Sequence, residues 1–191
     1  MATVSYTCMA DMTESDMELL TADADEDAKE LPGRLMDAVA ALENFQGALK
    51  VSRLEHSLQS ATRAHRAGKD KEYVAAALLH DIGDALAPHS HGPLVGAVLK
   101  PFVSERICWV VEKHPLFQAY YYAHLMGEDR NARDRSRDHP YYDDCVEFCE
   151  HFDQNCFDPD YDSLPLEFFR PIVEEVFSRP RHAADELPVA P

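Results

Sequence analysis

The sequence lacks the features by which several large protein classes are recognised. Its seven glycines are scattered and form neither GxGxxG nor GxxxxGK, so neither a dinucleotide fold nor a P-loop is indicated. The five cysteines are odd in number and include no CxxC pair, which argues against a disulfide framework and a zinc ribbon. No long apolar run occurs, and the first residues lack a basic start followed by an apolar stretch. We therefore expect neither a membrane span nor a signal peptide.

Positive charge is also scarce. Lysine and arginine number 18 against 35 aspartates and glutamates, which leaves a formal net charge of −17. Such an excess of negative charge repels the phosphates of nucleic acids and anionic membrane surfaces. The sequence thus predicts a small-molecule substrate, no nucleic-acid partner and no membrane partner, and the cysteine pattern favours a reducing cytoplasm. It does not indicate an oligomeric state.

Helical periodicity is what the sequence does contain. From Leu35 onward, apolar residues recur three, four or seven positions apart, which predicts an all-α fold. A chain of 191 residues is long enough for one sizeable core and favours a single domain. We predict an acidic N-terminal arm over residues 1–32, either loosely held or a surface helix. The domain follows over residues 33–179, and a frayed C-terminal tail over 180–191.

Capping and breaking residues suggest the bounds of several helices. Ser104 is a suitable N-cap for a helix over 105–113, and the segment 117–126 is expected to stay helical until Gly127. Residues 128–139 are predicted to form a polar loop, which contains four arginines. Further helices are predicted at 73–82, 94–99, 141–156 and 166–177.

The segment 75–83 carries the clearest chemical signal. It reads Ala-Ala-Ala-Leu-Leu-His-Asp-Ile-Gly, an apolar helix that ends in two adjacent side chains able to bind metals. Neighbours on a helix point about 100° apart, so His80 and Asp81 can serve neighbouring metal ions, and Asp81 can bridge them through its two oxygens. Gly83 then lets another backbone segment approach closely. We predict His80 and Asp81 as the catalytic pair.

Further histidines and an aspartate complete a candidate metal site. His56 lies upstream on a separate apolar-faced helix, and His91, His114 and Asp153 lie downstream on or near others. Together with His80 and Asp81 they make six ligands, which suit two metals with open positions. The alternative interpretation is that a histidine on a helix is an ordinary polar residue, since ten histidines make coincidences expected. We place in that class His65, His124, His139, His151 and His182.

With this spacing the chain resembles the HD-domain superfamily over about residues 53–179. The segments Leu-Glu-His-Ser-Leu-Gln-Ser-Ala at 54–61, Leu-Leu-His-Asp-Ile-Gly at 78–83 and Ser-Leu-Pro-Leu-Glu-Phe-Phe at 163–169 look most like the mixed-valent di-iron oxygenases. That branch includes myo-inositol oxygenase and the HD-domain oxygenases that cleave hydroxylated organophosphonates. The resemblance implies a single HD-domain helical bundle around a dinuclear metal site.

The resemblance also implies a chemistry. It suggests an Fe(II)/Fe(III) pair that uses O2 as co-substrate to cleave a C–P or C–C bond of a small hydroxylated substrate, with 1-hydroxy-2-(trimethylamino)ethylphosphonate as the leading example. Taken alone, imidazole and carboxylate ligands suit iron, manganese or zinc. A dinuclear HD phosphohydrolase acting on a nucleotide or phosphate ester therefore stays open. A regulatory protein with a vestigial metal site is a third class. The sequence argues against it, because none of the six ligand positions is lost.

The sequence departs from the phosphonate-cleaving relatives around the expected anion pocket. In those relatives, the position four residues after the histidine of the His-Asp pair and the position four residues after the last histidine ligand often carry cationic or histidine side chains. In this chain these histidines are His80 and His114, and the two positions are Asp84 and Gln118. A basic residue three before the last aspartate is replaced by Glu150. A loop arginine such as Arg133 and a ring such as Tyr121 are possible substitutes, although a solvated loop and core packing explain them as well. The substrate-binding candidates are Asp84, Gln118, Arg133 and Tyr121.

Overall fold

The all-α prediction is confirmed. The computed structural model describes residues 2–178 and 180–181, and within them it contains eight α-helices and no β-strand. None of these helices is long and apolar enough to cross a membrane. The helices are α1 Glu14–Lys29, α2 Leu31–Ala41, α3 Arg53–Arg66, α4 Lys71–Leu79, α5 His91–Leu99, α6 Glu105–Gln118, α7 Tyr142–Phe148 and α8 Leu166–Phe177.

Helix α4 lies at the centre of the bundle. All of its residues from Tyr73 to Leu79 are buried, because α3, α6 and α8 pack around it. A helix that is apolar on every side is expected at such a position. The bulkiest buried side chains around it include Phe117, Phe148 and Phe169. The end of α4, where the His80-Asp81 pair begins, is therefore inside the molecule.

Two glycines allow the backbone around α5 to pack closely. A methyl group on Gly92 would lie 2.6 Å from the carbonyl oxygen of Glu112 in α6. A methyl group on Gly83 would lie 3.0 Å from the Cα atom of His91. The close approach predicted at Gly83 is thus present, and it holds the start of α5 against the segment that follows α4. This packing brings the N-terminus of α5 to the centre of the bundle.

The N-terminal segment is attached to α1 by one buried carboxylate. Thr13 caps α1, and the Asp16 side chain accepts hydrogen bonds from the backbone N–H groups of Ser5 at 2.7 Å and Thr13 at 2.9 Å. At the other end, the N–H of Arg181 donates to the carbonyl of Pro101 at 2.7 Å. Residues 182–191 of the predicted tail, including His182, lie outside the described residues.

Local geometry differs from the predictions in the segment 117–126 and in the polar loop. Segment 117–126 is not one α-helix: α6 ends at Gln118 and is followed by 3-10 turns at Ala119–Tyr121 and Ala123–Met126. Gly127 ends this segment as predicted, because its φ of 77° is a left-handed conformation. The polar loop contains a 3-10 helix at Ala132–Ser136. Apolar periodicity alone does not separate such turns from α-helix.

Candidate metal centre

The six predicted ligands converge at the centre of the bundle. Five of them are 7% exposed or less, and the side chain of the sixth, His91, is 18% exposed. They come from five different parts of the chain, so only the folded protein brings them together. Their locations are α3 for His56, the end of α4 for His80 and Asp81, the start of α5 for His91, the last turns of α6 for His114, and the segment after α7 for Asp153.

One group of ligand atoms surrounds a point between α3 and α4. The Nε2 atoms of His56 and His80 are 3.1 Å apart. Asp153 Oδ1 lies 3.3 Å from Nε2 of His56 and 3.9 Å from Nε2 of His80. Asp81 Oδ2 lies 3.5 Å from each of the same two nitrogens. We call these four side chains the first ligand group.

A second group lies on the other side of Asp81. The Nε2 atoms of His91 and His114 are 3.2 Å apart, and Asp81 Oδ1 lies 3.5 Å from the former and 3.3 Å from the latter. These three side chains are the second ligand group. Asp81 is common to both groups and turns one oxygen toward each.

Backbone carbonyls of α4 and α6 fix the orientation of two imidazoles. Nδ1 of His80 lies 2.7 Å from the carbonyl oxygen of Ala77, and Nδ1 of His114 lies 2.6 Å from that of Val111. A carbonyl only accepts, so each Nδ1 carries a proton and each Nε2 presents a lone pair. The Val111 carbonyl is available because its usual helical donor would be residue 115, and Pro115 has no N–H.

The other two imidazoles are held in a similar way. Nδ1 of His56 lies 3.1 Å from the carbonyl oxygen of Cys156, and Nδ1 of His91 lies 3.0 Å from Asp84 Oδ1. Asp84 also pairs with Arg53, whose Nη1 lies 3.9 Å from Asp81 Oδ2. Outer partners of this kind set the tautomer and ring direction of metal-binding histidines.

The donor set fits two metal ions. Facing imidazole lone pairs at 3.1 and 3.2 Å repel one another unless a cation or proton lies between them. Two nitrogens bound at about 2.1 Å and at right angles to one metal would be about 3.0 Å apart. In addition, the buried Oδ2 of Asp153 has no hydrogen-bond partner among the described residues. A cation in each group would satisfy these atoms.

Burial and charge act in opposite directions on the pKa values at the centre. Burial lowers the pKa of His80 below its ordinary value, although the negative charge of Asp81 acts to raise it. Burial acts to raise the pKa of Asp81, but the surrounding imidazoles, His80 first, hold it well below its ordinary value. A neutral imidazole and an ionised carboxylate are the forms that bind metals.

Asp153 reaches the centre from a widened helical turn. The chain continues from α7 into a π-helix at Cys149–Asp153, in which the Gln154 N–H donates to the Cys149 carbonyl five residues earlier at 3.0 Å. Single π-turns of this kind occur often at functional sites. The apolar pattern of 141–156 predicts an ordinary helix and carries no signal for the extra residue in this turn.

The four predicted substrate-binding residues divide into two pairs. Asp84 and Gln118 touch ligands, since Asp84 pairs with His91 and the Gln118 Nε2 donates to Asp153 Oδ1 at 2.6 Å. Arg133 instead lies over the ring of Tyr120, at 3.8 Å from the ring centroid, and Tyr121 is partly buried beside that ring. In the described part of the chain, neither Arg133 nor Tyr121 forms a hydrogen bond or ion pair with the six ligands.

Sequence reasoning missed Arg53. This residue lies three positions before His56, a spacing that places both side chains on one face of α3, and that spacing was the available signal. Aromatic rings were also missed: Phe157 stacks on His56 with 4.5 Å between centroids, and Phe148 meets the edge of His80 at 5.5 Å. These rings exclude water from the buried side of the centre.

The comparisons with known proteins agree with this geometry. Residues 53–139 match the family model described as the HD domain. The match spans every ligand candidate except Asp153, which lies beyond its end. No curated protein shows significant sequence similarity to the chain. Clustered histidines and aspartates that can hold metal ions, inside an all-helical fold, point to a metal-dependent HD enzyme. The chain therefore contains an HD domain at residues 53–139.

Proposed function

We propose that the protein is a dinuclear oxygenase that uses O2 and an Fe(II)/Fe(III) pair to cleave a C–P or C–C bond of a small hydroxylated substrate. The leading candidate is an organophosphonate such as 1-hydroxy-2-(trimethylamino)ethylphosphonate. The observation that carries the proposal is the position of Asp81, which turns Oδ2 to one ligand group and Oδ1 to the other. A carboxylate shared in this way couples two metals, as a mixed-valent pair requires. The resemblance of segments 54–61 and 78–83 to the oxygenase branch supports iron.

The reaction balances with O2 as the oxidant. Addition of both oxygen atoms to a 1-hydroxyphosphonate breaks the C–P bond and leaves a carboxylic acid and phosphate. The iron pair would supply the redox chemistry. The protein's own residues hold the centre for it: Asp84 accepts a hydrogen bond from Nδ1 of His91, and Phe157 and Phe148 keep water from the buried side.

The second ligand group is the one that we expect to take the substrate. It contains three protein ligands against four in the first group, and three ligands leave more coordination positions open. It also contains His91, the most exposed of the six ligands. Arg53, whose side chain is 37% exposed, pairs with Asp84 behind His91 and lies 3.9 Å from Asp81 Oδ2, the oxygen turned toward the first group. The substrate hydroxyl would therefore bind on the His91 side.

Phosphate-ester hydrolysis is the second candidate. The exposed guanidinium of Arg53 near the shared carboxylate suits the oxygens of a phosphate ester as well as those of a phosphonate. Imidazole and carboxylate ligands also hold manganese or zinc, which activate water for hydrolysis without oxygen.

Oxygen dependence separates the two functions. Iron-loaded protein should release phosphate from a panel of 1-hydroxyphosphonates only in the presence of O2, and the partly oxidised protein should give a coupled Fe(II)/Fe(III) signal in low-temperature EPR that shifts with the substrate. His80→Ala should lose both metal and turnover, whereas His124→Ala, an exposed histidine, should keep both. Phosphate release from esters under anaerobic conditions with manganese would identify the hydrolase instead.

A further inference from the structure

The last ligand of the first group is a buried carboxylate with little support from its surroundings. Asp153 is fully buried, at 0% exposure, and ends the π-helix that follows α7. Its Oδ1 faces His56 and His80, and its Oδ2 has no partner among the described residues. No lysine or arginine in the described chain forms an ion pair with it. A buried carboxylate in this situation needs a donor to fix its orientation.

Gln118 provides that donor. It lies one turn after His114, so both side chains are on the same face of α6. Its Nε2 donates to Asp153 Oδ1 at 2.6 Å, a short distance expected for a hydrogen bond to an ionised acceptor. Among the described residues, this is the one hydrogen bond to the Asp153 side chain from a group other than an imidazole.

The bond links the two ligand groups through one helix. Helix α6 carries His114 of the second group and Gln118, which holds Asp153 of the first group. A shift of α6 would thus move a ligand of each group together. The amide is neutral, so it orients the carboxylate without neutralising the charge that a metal ion would use.

We propose that Gln118 is a positioning residue, which orients Asp153 for the first ligand group instead of binding the substrate. This inference rests on the proposed function insofar as the centre holds metal ions. Asp84 has the matching position beside His91 in the second group. The two positions at which phosphonate-cleaving relatives carry anion-binding side chains are thus used here to hold ligands.

The test compares donors at position 118 by titrating the full-length protein with Fe(II) under anaerobic conditions. Gln118→Leu keeps the bulk but removes the donor, so we expect one of the two sites to bind about 10- to 100-fold more weakly. Gln118→Asn keeps a neutral N–H donor with one methylene less reach, so it should bind iron more tightly than the Leu variant does. The low-temperature EPR signal should change in the Leu variant and lie closer to that of the wild type in the Asn variant.

Gln154→Leu is the matched control, because Gln154 is next to Asp153 in the chain but donates to the backbone carbonyl of Glu150 at 3.1 Å. It should leave iron affinity unchanged. Thermal unfolding of the metal-free proteins shows whether Gln118→Leu folds normally. Equal iron affinity in the wild type and a folded Gln118→Leu variant would overturn the positioning role while leaving the proposed function intact. Failure of the wild type to bind two ions would overturn both.

Discussion

At the scale of single residues, the groups behind the ligands decide how well the ligands perform. Every one of the four imidazoles has its Nδ1 held by a carbonyl or carboxylate, and each presents Nε2 to the centre. Fixed rings lose little freedom when a metal binds, so the outer partners contribute to affinity without touching the ion.

Removal of Asp84 should weaken the second ligand group selectively. Asp84→Ala leaves Nδ1 of His91 without its acceptor and Arg53 without the closer of its two carboxylate partners, so we expect the second metal to bind about 10- to 100-fold more weakly, with a smaller effect on the first. Equilibrium dialysis with metal analysis measures both sites. Asp138→Ala, in the exposed part of the polar loop, is the control. An equal loss at both sites would contradict this division of roles.

The side chains that cluster at the centre could be predicted from the sequence, but their supports could not. The pair His80 and Asp81 stands out because polar residues rarely end so apolar a helix. The partners of His56 and His114 are backbone carbonyls, which every residue type has, so no sequence pattern marks them. The role of Gln118 depends on a contact with Asp153, 35 positions away along the chain.

At the scale of secondary-structure elements, the contact between α5 and α6 sets the second ligand group. His91 opens α5 and His114 lies near the end of α6, so the spacing of the two helices fixes the 3.2 Å between their Nε2 atoms. Gly92 permits that spacing because the Glu112 carbonyl oxygen lies only 2.6 Å from the position that a Cβ atom would take.

A methyl group at this contact should separate the two helices. For Gly92→Ala we expect a loss of about 1–3 kcal/mol in the free energy of unfolding, because the helix backbone cannot yield easily, together with weaker binding of the second metal. Gly33→Ala is the control: Gly33 lies in α2 with no atom within 4 Å of its would-be Cβ, and alanine there should stabilise the helix by up to about 1 kcal/mol. Urea unfolding measures both. Equal stability of the two variants would contradict the close contact.

Acid should release the N-terminal segment from α1. The hydroxyl of Thr13, then the N–H groups of Ser5 and Thr13, hold the pKa of Asp16 well below its ordinary value of 3.8. A lowered pKa in the folded state contributes stability above the ordinary value, and this contribution is lost as the pH falls through the folded value. Hydrogen exchange in residues 2–16 should therefore increase as the pH falls from the ordinary value of 3.8 toward about 2, after correction for the intrinsic exchange rate. Asp16→Asn should remove most of that pH dependence, and an unchanged profile would refute the link.

Most elements, but not their fine geometry, could be predicted from the chain. The apolar period and the Ser104 cap locate α6, and the Ser104 hydroxyl accepts from the Ile107 N–H at 3.5 Å as expected. The 3-10 turns after Gln118 and the π-helix at Cys149–Asp153 depend on packing against the rest of the bundle. Periodicity cannot detect them, since one residue more or less per turn hardly changes the apolar pattern.

At the scale of the whole molecule, the ligands join distant parts of the chain. They extend from His56 in α3 to Asp153 after α7, so a bound metal would connect most of the bundle in the folded state alone. Any ion that binds only the folded protein raises its free energy of unfolding, by an amount set by the concentration of the ion and its affinity for the site.

Metal removal should accordingly lower the melting temperature. A metal present at about 100 times its Kd stabilises the folded state by about 2.7 kcal/mol, which corresponds to a shift of about 5–10 °C for a domain of this size. Differential scanning calorimetry with and without a chelator measures the shift. The chelator should have a smaller effect on His80→Ala, whose first ligand group is incomplete while its second is intact. A wild type that melts at the same temperature in both conditions would argue against a bound metal.

The widened turn at Cys149–Asp153 has a consequence for how sequences of this kind are compared. Loss of one residue from the turn would restore ordinary α geometry and rotate the residues after the turn by about 100° relative to α7. Asp153 would then face away from the histidines, and the Cys156 carbonyl would leave His56. When a related sequence aligns with a one-residue gap at this segment, the gap would therefore change the metal centre as well as the length of the helix. It would remove a ligand from the centre even though every histidine and aspartate was still present in the chain.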